Sequence, residues 1–148
     1  MKFDYPIVLT RDRSDGGYVV TFPDFPEALT QGNTKTEALE NAQDCLEEAV
    51  AARISDKEDI PKPSPLSKYK QFVPLPVQWA LKAALYDTMR KQGLNMSQLA
   101  NELDVSEKVV RRLLDPYHNN PSEKLEQALH VLGRRVSLRI ESESRRAA

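Results

Sequence analysis

The hydrophobic pattern of this chain changes period as it proceeds, from strand-like at the front to helical in the middle and back. Phe3, Tyr5, Ile7 and Leu9 alternate with more polar neighbours, the period-2 signature of a half-buried strand. Ser14-Asp15-Gly16-Gly17 supplies a turn able to take positive φ, and Tyr18 to Phe22 is the return strand. Pro23 and Pro26 bracket Asp24-Phe25 in a loop that cannot continue a ladder, because proline has no N–H to donate. Ala28 to Gln31 restarts as a third strand that Gly32 closes, which predicts a three-stranded antiparallel meander.

From Thr34 the period lengthens. Thr34 and Glu37 form a capping box, and Ala38, Ala42, Cys45, Leu46, Ala49 and Val50 make the apolar stripe of a helix running to about Ile54. The opposite face carries Glu37, Glu40, Asp44, Glu47 and Glu48. Asp56 to Lys70, with Pro61, Pro63 and Pro65 spaced by two, predicts an extended connection that packs poorly. Phe72 to Pro76 predicts a fourth, edge strand beside the meander, where prolines are tolerated. Three strands, a helix and that fourth strand make a minimal open sandwich.

The rest of the pattern is helical until its last residues. Val77 to Gln92 places Val77, Ala80, Leu81, Ala84, Leu85 and Met89 on one face, with Trp79 and Tyr86 flanking it, and Gly93 stops the helix. Asn95 to Asp115 reads as two short helices joined by a tight turn, from about Ser97 to Leu103 and from Ser106 to Leu114, each serine acting as an N-cap. Leu99, Ala100, Leu103, Val105, Val110 and Leu113 would line the inside of the pair, with Ala100 at the closest crossing. Pro121-Ser122 opens a last helix, with a stripe of Leu125, Ala128, Leu129 and Leu132 ending at Gly133. Arg135 to Glu141 then alternates like a strand, but the helical part offers it no partner. An unpaired edge invites pairing across a two-fold axis, so Val136, Leu138 and Ile140 are expected to mediate dimerisation.

These elements predict an α+β chain in two domains. Residues 1–76 form the sandwich, with the proline-rich connection at 57–70, and residues 77–148 form an all-α helix-turn-helix domain with a C-terminal strand. Charge sharpens the division. Met1 to Lys70 carries a net −4 and Gln71 to Ala148 a net +3, so a near-neutral total of −1 hides an acidic front and a basic back. The basic half contains the helix pair whose outer face a helix-turn-helix presents to the major groove of double-stranded DNA. Its DNA-contact candidates are Ser106, Glu107, Lys108, Arg111 and Arg112 on the second helix, Ser97 and Gln98 on the first, and His118 and Asn119 in the following loop. The alternative for the arginines is a solvated face weakly paired with Glu102 and Glu107.

Composition narrows the chemistry. A single cysteine, Cys45, permits no internal disulfide and no multi-thiolate metal site, and it falls on an apolar stripe; a reducing cytoplasm is the expected compartment. Early charges at Asp4, Arg11 and Asp12 argue against a signal peptide, and no segment approaches membrane-spanning length. Asp4, Asp12, Asp15, Asp24 and Asp44 raise the question of a metal nuclease. They fall at strand ends, turns and an outer helix face rather than converging, so no catalytic residue, metal or cofactor is expected.

Asp15 to Leu46, DGGYVVTFPDFPEALTQGNTKTEALENAQDCL, closely resembles the N-terminal signature of HicB-family antitoxins, with its double glycine, FPDFP loop, TQG, threonine-capped helix and EAL run in order. The PSPL segment at Pro63 to Leu66 and the helix pair behind it resemble the subclass with a Cro-type DNA-binding domain. Many members have Gly-Cys where this chain has Glu27-Ala28. The resemblance implies a partial RNase H-like fold in front without its catalytic carboxylates, and a partner in a small mRNA-cleaving HicA-type toxin. It implies an antitoxin that represses its own operon as a homodimer or higher homo-oligomer. An acidic domain can cover the cationic face of an RNA-gripping toxin. Asp15, Asp24, Phe25 and Glu27 in the loops, or the acidic helix from Glu37 to Glu48, with Glu47 upon it, are the toxin-contact candidates. The competing readings are a stand-alone regulator whose front domain senses a ligand, and an active RNase H-like nuclease.

Overall fold

In the computed structural model, which describes residues 1–143, four antiparallel strands precede four of the five helices. Strands β1 (Asp4–Arg11), β2 (Tyr18–Phe22) and β3 (Phe25–Gly32) form the predicted meander. Strand β4 (Gln71–Pro74) joins it at β1, giving the order β3-β2-β1-β4. Register is set by pairs such as Leu9 with Val20 and Tyr5 with Val73, which bring Tyr5, Ile7, Val20 and Phe22 to one face. Helix α1 (Lys35–Ser55) covers that face with Ala38, Ala42, Leu46, Ala49 and Val50, all buried, while Cys45 is half-buried at the edge. Apart from buried Pro6, the other face of the sheet is open, with Val8, Leu29 and Phe72 exposed upon it.

Local chemistry accounts for the element ends. In the β1–β2 turn Asp12 Oδ1 accepts from the Ser14 N–H and hydroxyl, and Gly16 takes φ +74°. Thr34 caps α1 by accepting from Glu37 N–H, but the Glu37 carboxylate reaches back to Asn33 N–H at 3.0 Å, one residue earlier than a capping box requires. Gly32 is needed for proximity: a Cβ there would lie 2.3 Å from the Ala38 nitrogen, inside the first turn of α1.

Two expectations about the front half are corrected. The third strand begins at Phe25, not Ala28, because Phe22 pairs with Phe25 and then Thr21 with Leu29. Pro26 to Ala28 form a bulge on an edge strand, where a missing N–H costs no ladder bond. The proline-rich connection does not pack poorly. Tyr5 Oη donates to Pro61 O at 2.7 Å, Tyr86 Oη to Glu58 O at 2.8 Å, and Ile60 is buried. Arg90 Nε contacts Asp59 Oδ1 at 2.7 Å, so this strap is tied to both the sheet and the helices. The prolines keep the segment extended, leaving its carbonyls free to accept these bonds.

Helices α2 (Val77–Lys91), α3 (Met96–Leu103), α4 (Glu107–Leu114) and α5 (Ser122–Val131) form the back half, with α2 against α4 and α5, and α3 against α4 and α5. The predicted buried face of α2 is corrected by about a third of a turn. Lys82, Ala83, Leu85, Tyr86 and Met89 are buried, while Ala80, Leu81 and Ala84 are only half-covered and Val77 is exposed. The helix must satisfy α1, the strap, α4 and α5 together, which a single-stripe reading does not represent. Asn95, not Ser97, caps α3; its side chain accepts from Gln98 N–H while Gln98 Oε1 accepts from Asn95 N–H.

Arg135 to Glu141 forms no strand in the single chain. Val136 packs half-buried against the core, but Leu138 is 73% and Ile140 88% exposed. With no unpaired strand beside it, the alternating pattern finds no ladder within one chain.

Candidate nucleic-acid interface and acidic face

The turn between α3 and α4 sets the geometry of the basic face. Asp104 ends α3 in the left-handed region at φ 55°, a conformation that aspartate adopts more readily than most residues, and Val105 N–H bonds to Ala100 O at 3.0 Å. Ser106 caps α4 through Val109 N–H, as expected. Leu99, Ala100, Val110, Leu113 and Leu114 are buried between the helices, Leu103 is half-buried and Val105 is exposed. That burial turns Glu107, Lys108, Arg111 and Arg112 outward, all four exposed.

These charges are nearly free. Arg111 Nη2 lies 4.0 Å from Glu107 Oε2, a solvent-screened i, i+4 contact worth only a few tenths of a kcal/mol, about 0.3. Among the described residues Lys108 and Arg112 have no ion-pair partner. Ser97 and Arg111 line one cleft, so the first turn of α3 and the outer face of α4 come together. Gln98 is exposed, but its Oε1 is occupied by the cap of α3, leaving its amide N–H groups to donate. Asn119 is exposed and His118 half-buried in the loop after α4. That cleft has a volume of about 920 Å³ and runs between the end of α1 and the helices, walled by Ile54, Tyr86, Met89, Leu94 and Tyr117.

One residue of consequence escaped the sequence reading. Lys82 on α2 is fully buried and its Nζ donates to Arg112 O at 2.9 Å, Leu113 O at 3.1 Å and Asn120 Oδ1 at 2.5 Å. Burial pushes its ammonium down to about 8, against a smaller upward pull from Asp115, so it stays protonated at neutral pH. A lysine in an amphipathic helix reads as a solvent-facing residue, and only its position among Leu81, Ala83, Ala84 and Leu85 hints otherwise.

The acidic half divides the toxin-contact candidates. Phe25 is fully buried, 4.9 Å edge-to-face from Tyr5 and beneath the Arg53 guanidinium. Asp24 accepts from Ser64 N–H at 2.8 Å and Ser64 Oγ at 2.5 Å, fastening the strap. Glu27 is gripped by Arg53 through Nε at 2.6 Å and Nη2 at 3.1 Å, which holds its carboxyl below the usual carboxylate range. Asp24 and Phe25 are therefore engaged within the fold and Glu27 is tied to Arg53 at its surface, as the sequence alone could not show. Asp15 is exposed in the β1–β2 turn, and Glu47 is half-buried with Gln43 Nε2 3.3 Å away. Glu40, Asp44 and Glu48 are exposed on the outer side of α1. Among the described residues no three His, Cys, Asp or Glu side chains are grouped as metal ligands, and no helix is long and apolar enough to cross a membrane.

A family described as "HicB_like antitoxin of bacterial toxin-antitoxin system" matches residues 4–84. The protein named Antitoxin HicB of Escherichia coli (strain K12) is 36% identical over 134 residues, covering 90% of this chain and 96% of its own. Antitoxin HicB 1 of Photorhabdus laumondii is 36% identical over 137 residues, 93% and 86% of the two chains. Antitoxin HicB of Pseudomonas fluorescens (strain Pf0-1) is 31% identical over 143 residues, 96% and 97% of the two chains.

Proposed function

The chain belongs to the HicB-like antitoxin family of bacterial toxin-antitoxin systems, and on that premise we propose that its front half neutralises a small HicA-type mRNA-cleaving toxin while its back half represses its own operon. In this reading residues 1–76 are a partial RNase H-like, toxin-neutralising domain and residues 77–148 a helix-turn-helix domain that binds operator DNA. The protein acts in the cytoplasm as a homodimer or higher homo-oligomer.

The observation that carries the DNA half is the outer face of α4, where Lys108, Arg111 and Arg112 are exposed with at most one long internal contact. Cations held rigidly on a helix and left unneutralised suit phosphates and guanine edges. Two copies joined near Val136, Leu138 and Ile140 would offer two such helices to half-sites about 34 Å apart. Leu138 and Val136 border an apolar groove against Ala80, Leu81, Ala84 and Leu129, which supports an interface there. A gel-shift titration with the DNA upstream of its own operon tests this. Arg111→Ala with Arg112→Ala should abolish specific binding, and intact binding would refute the assignment.

For the toxin half, the internal engagement of Asp24, Phe25 and Glu27 favours the outer side of α1. Glu40, Asp44 and Glu48 form a rigid anionic row that can oppose the cationic surface of an RNA-binding toxin. Charge reversal by Asp44→Lys and Glu48→Lys should weaken toxin binding at least tenfold, whereas Asp24→Lys should act through stability. A ligand-sensing regulator has one observation in its favour, the cleft between α1 and the helices. Rescue of growth from a co-expressed neighbouring toxin gene favours the antitoxin and would not follow from the regulator.

A further inference from the structure

Lys82 is the only buried charged side chain among the described residues, and every hydrogen bond of its ammonium goes to the end of α4 or the loop that follows. One turn earlier on α2, Gln78 exchanges two hydrogen bonds with the backbone of Asn120: its Nε2 donates to Asn120 O at 2.8 Å and its Oε1 accepts from Asn120 N–H at 3.0 Å. Two side chains at i and i+4 thus hold the last turn of α4 and the far end of the Asp115–Asn120 loop as one unit.

The need for a cation follows from the helix end. The last carbonyls of a helix lack intrahelical partners, and here only Arg111 O is met by a following N–H, that of Asp115 at 2.9 Å. Leu113 O is buried and Arg112 O partly so, which limits the access of water to them. Lysine supplies three donors on one atom and a positive charge at the negative end of the helix dipole. An apolar side chain could fill the same volume, but it would leave the carbonyls of α4 unmet and the loop untethered.

We propose that Lys82 is a positioning residue for DNA recognition, fixing where α4 and the His118-Asn119 loop stand relative to the rest of the back half. The inference rests on the DNA reading given above. Base-edge contacts need the helix held within fractions of an ångström, whereas phosphate contacts tolerate small shifts because long basic side chains reorient. Loss of the clamp should therefore cost discrimination between sequences more than affinity for DNA as such.

The test is a pair of titrations on the full-length protein, against the DNA upstream of its own operon and against a random duplex of equal length. Thermal melting and binding to the co-encoded toxin are followed in parallel. Lys82→Met should lower operator affinity at least tenfold, change random-duplex affinity by less than about twofold, and leave toxin binding unchanged. Asn120→Ala, which keeps the lysine and removes one acceptor from a half-exposed loop, should shift the operator-to-random ratio about threefold in the same direction and keeps the test open if the methionine variant misfolds. A ratio unchanged in Asn120→Ala and in folded Lys82→Met, with the unmutated protein still preferring its operator, overturns the positioning role alone. Equal loss on both duplexes also overturns it, since that is the result of a merely destabilised helix. No operator preference in the unmutated protein overturns the DNA reading and this inference with it.

Discussion

Replacing Arg53 with methionine removes the group that joins the end of α1 to the β3 bulge and the strap, and its cost can be worked from the contacts. The guanidinium grips Glu27 in a two-pronged ion pair, donates to Asp59 O at 2.9 Å, and lies 5.2 Å over the Phe25 ring. Glu27 is about half exposed, so solvent screening limits the ion pair to roughly 0.5–1 kcal/mol. The bond to Asp59 O adds about 1 kcal/mol and the ring contact about 0.5. Methionine retains much of the stem's packing, so the net loss at pH 7 should be about 2 kcal/mol, read by urea unfolding at unchanged m-value. The pH dependence separates the parts. Glu27 is held below its ordinary range chiefly by its hydrogen bond to Arg53, so its contribution is present above the unfolded carboxyl's pKa of about 4.3 and is lost as pH falls through the lower, folded value. The difference between the two proteins should therefore shrink from pH 6 towards pH 3, to about 1–1.5 kcal/mol. A difference below about 0.5 kcal/mol at pH 7 would refute the estimate, and one constant across that range would show that the ion pair contributes nothing.

Three further outcomes follow from particular contacts. Gly32→Ala would drive a Cβ to 2.3 Å from the Ala38 backbone nitrogen, and since neither backbone can yield cheaply the melting temperature should fall by well over 5 °C, a loss of more than about 2 kcal/mol. Asn95→Ala removes the cap that α3 shares with Gln98 and should cost about 1 kcal/mol, with hydrogen exchange accelerating in the first turn of α3 and not in α1. Lys82 titrates lower in the folded chain, about 8 against 10.5, so between those values the unfolded chain binds more protons and this group adds stability as pH rises. The stability difference between the native protein and Lys82→Met should grow by about 1 kcal/mol from pH 7 to 9; a flat or declining difference would contradict the buried placement.

Elements whose cause is local were legible in the chain. The meander, the Thr34 cap, the stripe of α1 and the Ser106 cap depend on period, turn residues and side chains three positions away, and the observed elements agree to within a few residues. One local element is misread from the chain: serine often caps a helix, but Asn95 rather than Ser97 pairs with Gln98, three residues on, in a reciprocal box. The other misreading arises where partners are distant in sequence. The strap looked like a linker because its own residues cannot form a ladder; its order comes from Tyr5, Arg53, Tyr86 and Arg90, contributed by three other elements.

By itself, then, the sequence determined the α+β order of elements, the opposite charges of the two halves and the outward basic face of α4, because each follows from periodicity or composition. Only the tertiary structure decided which of those charges remain available. Asp24 and Glu27 are consumed by Ser64 and Arg53, Lys82 is drawn into the core by the unmet carbonyls of α4, and Lys108 and Arg112 are left to solvent. The physical reason is that a side chain's charge is a property of its residue type, whereas its availability depends on the polar groups that folding brings within about 3 Å of it.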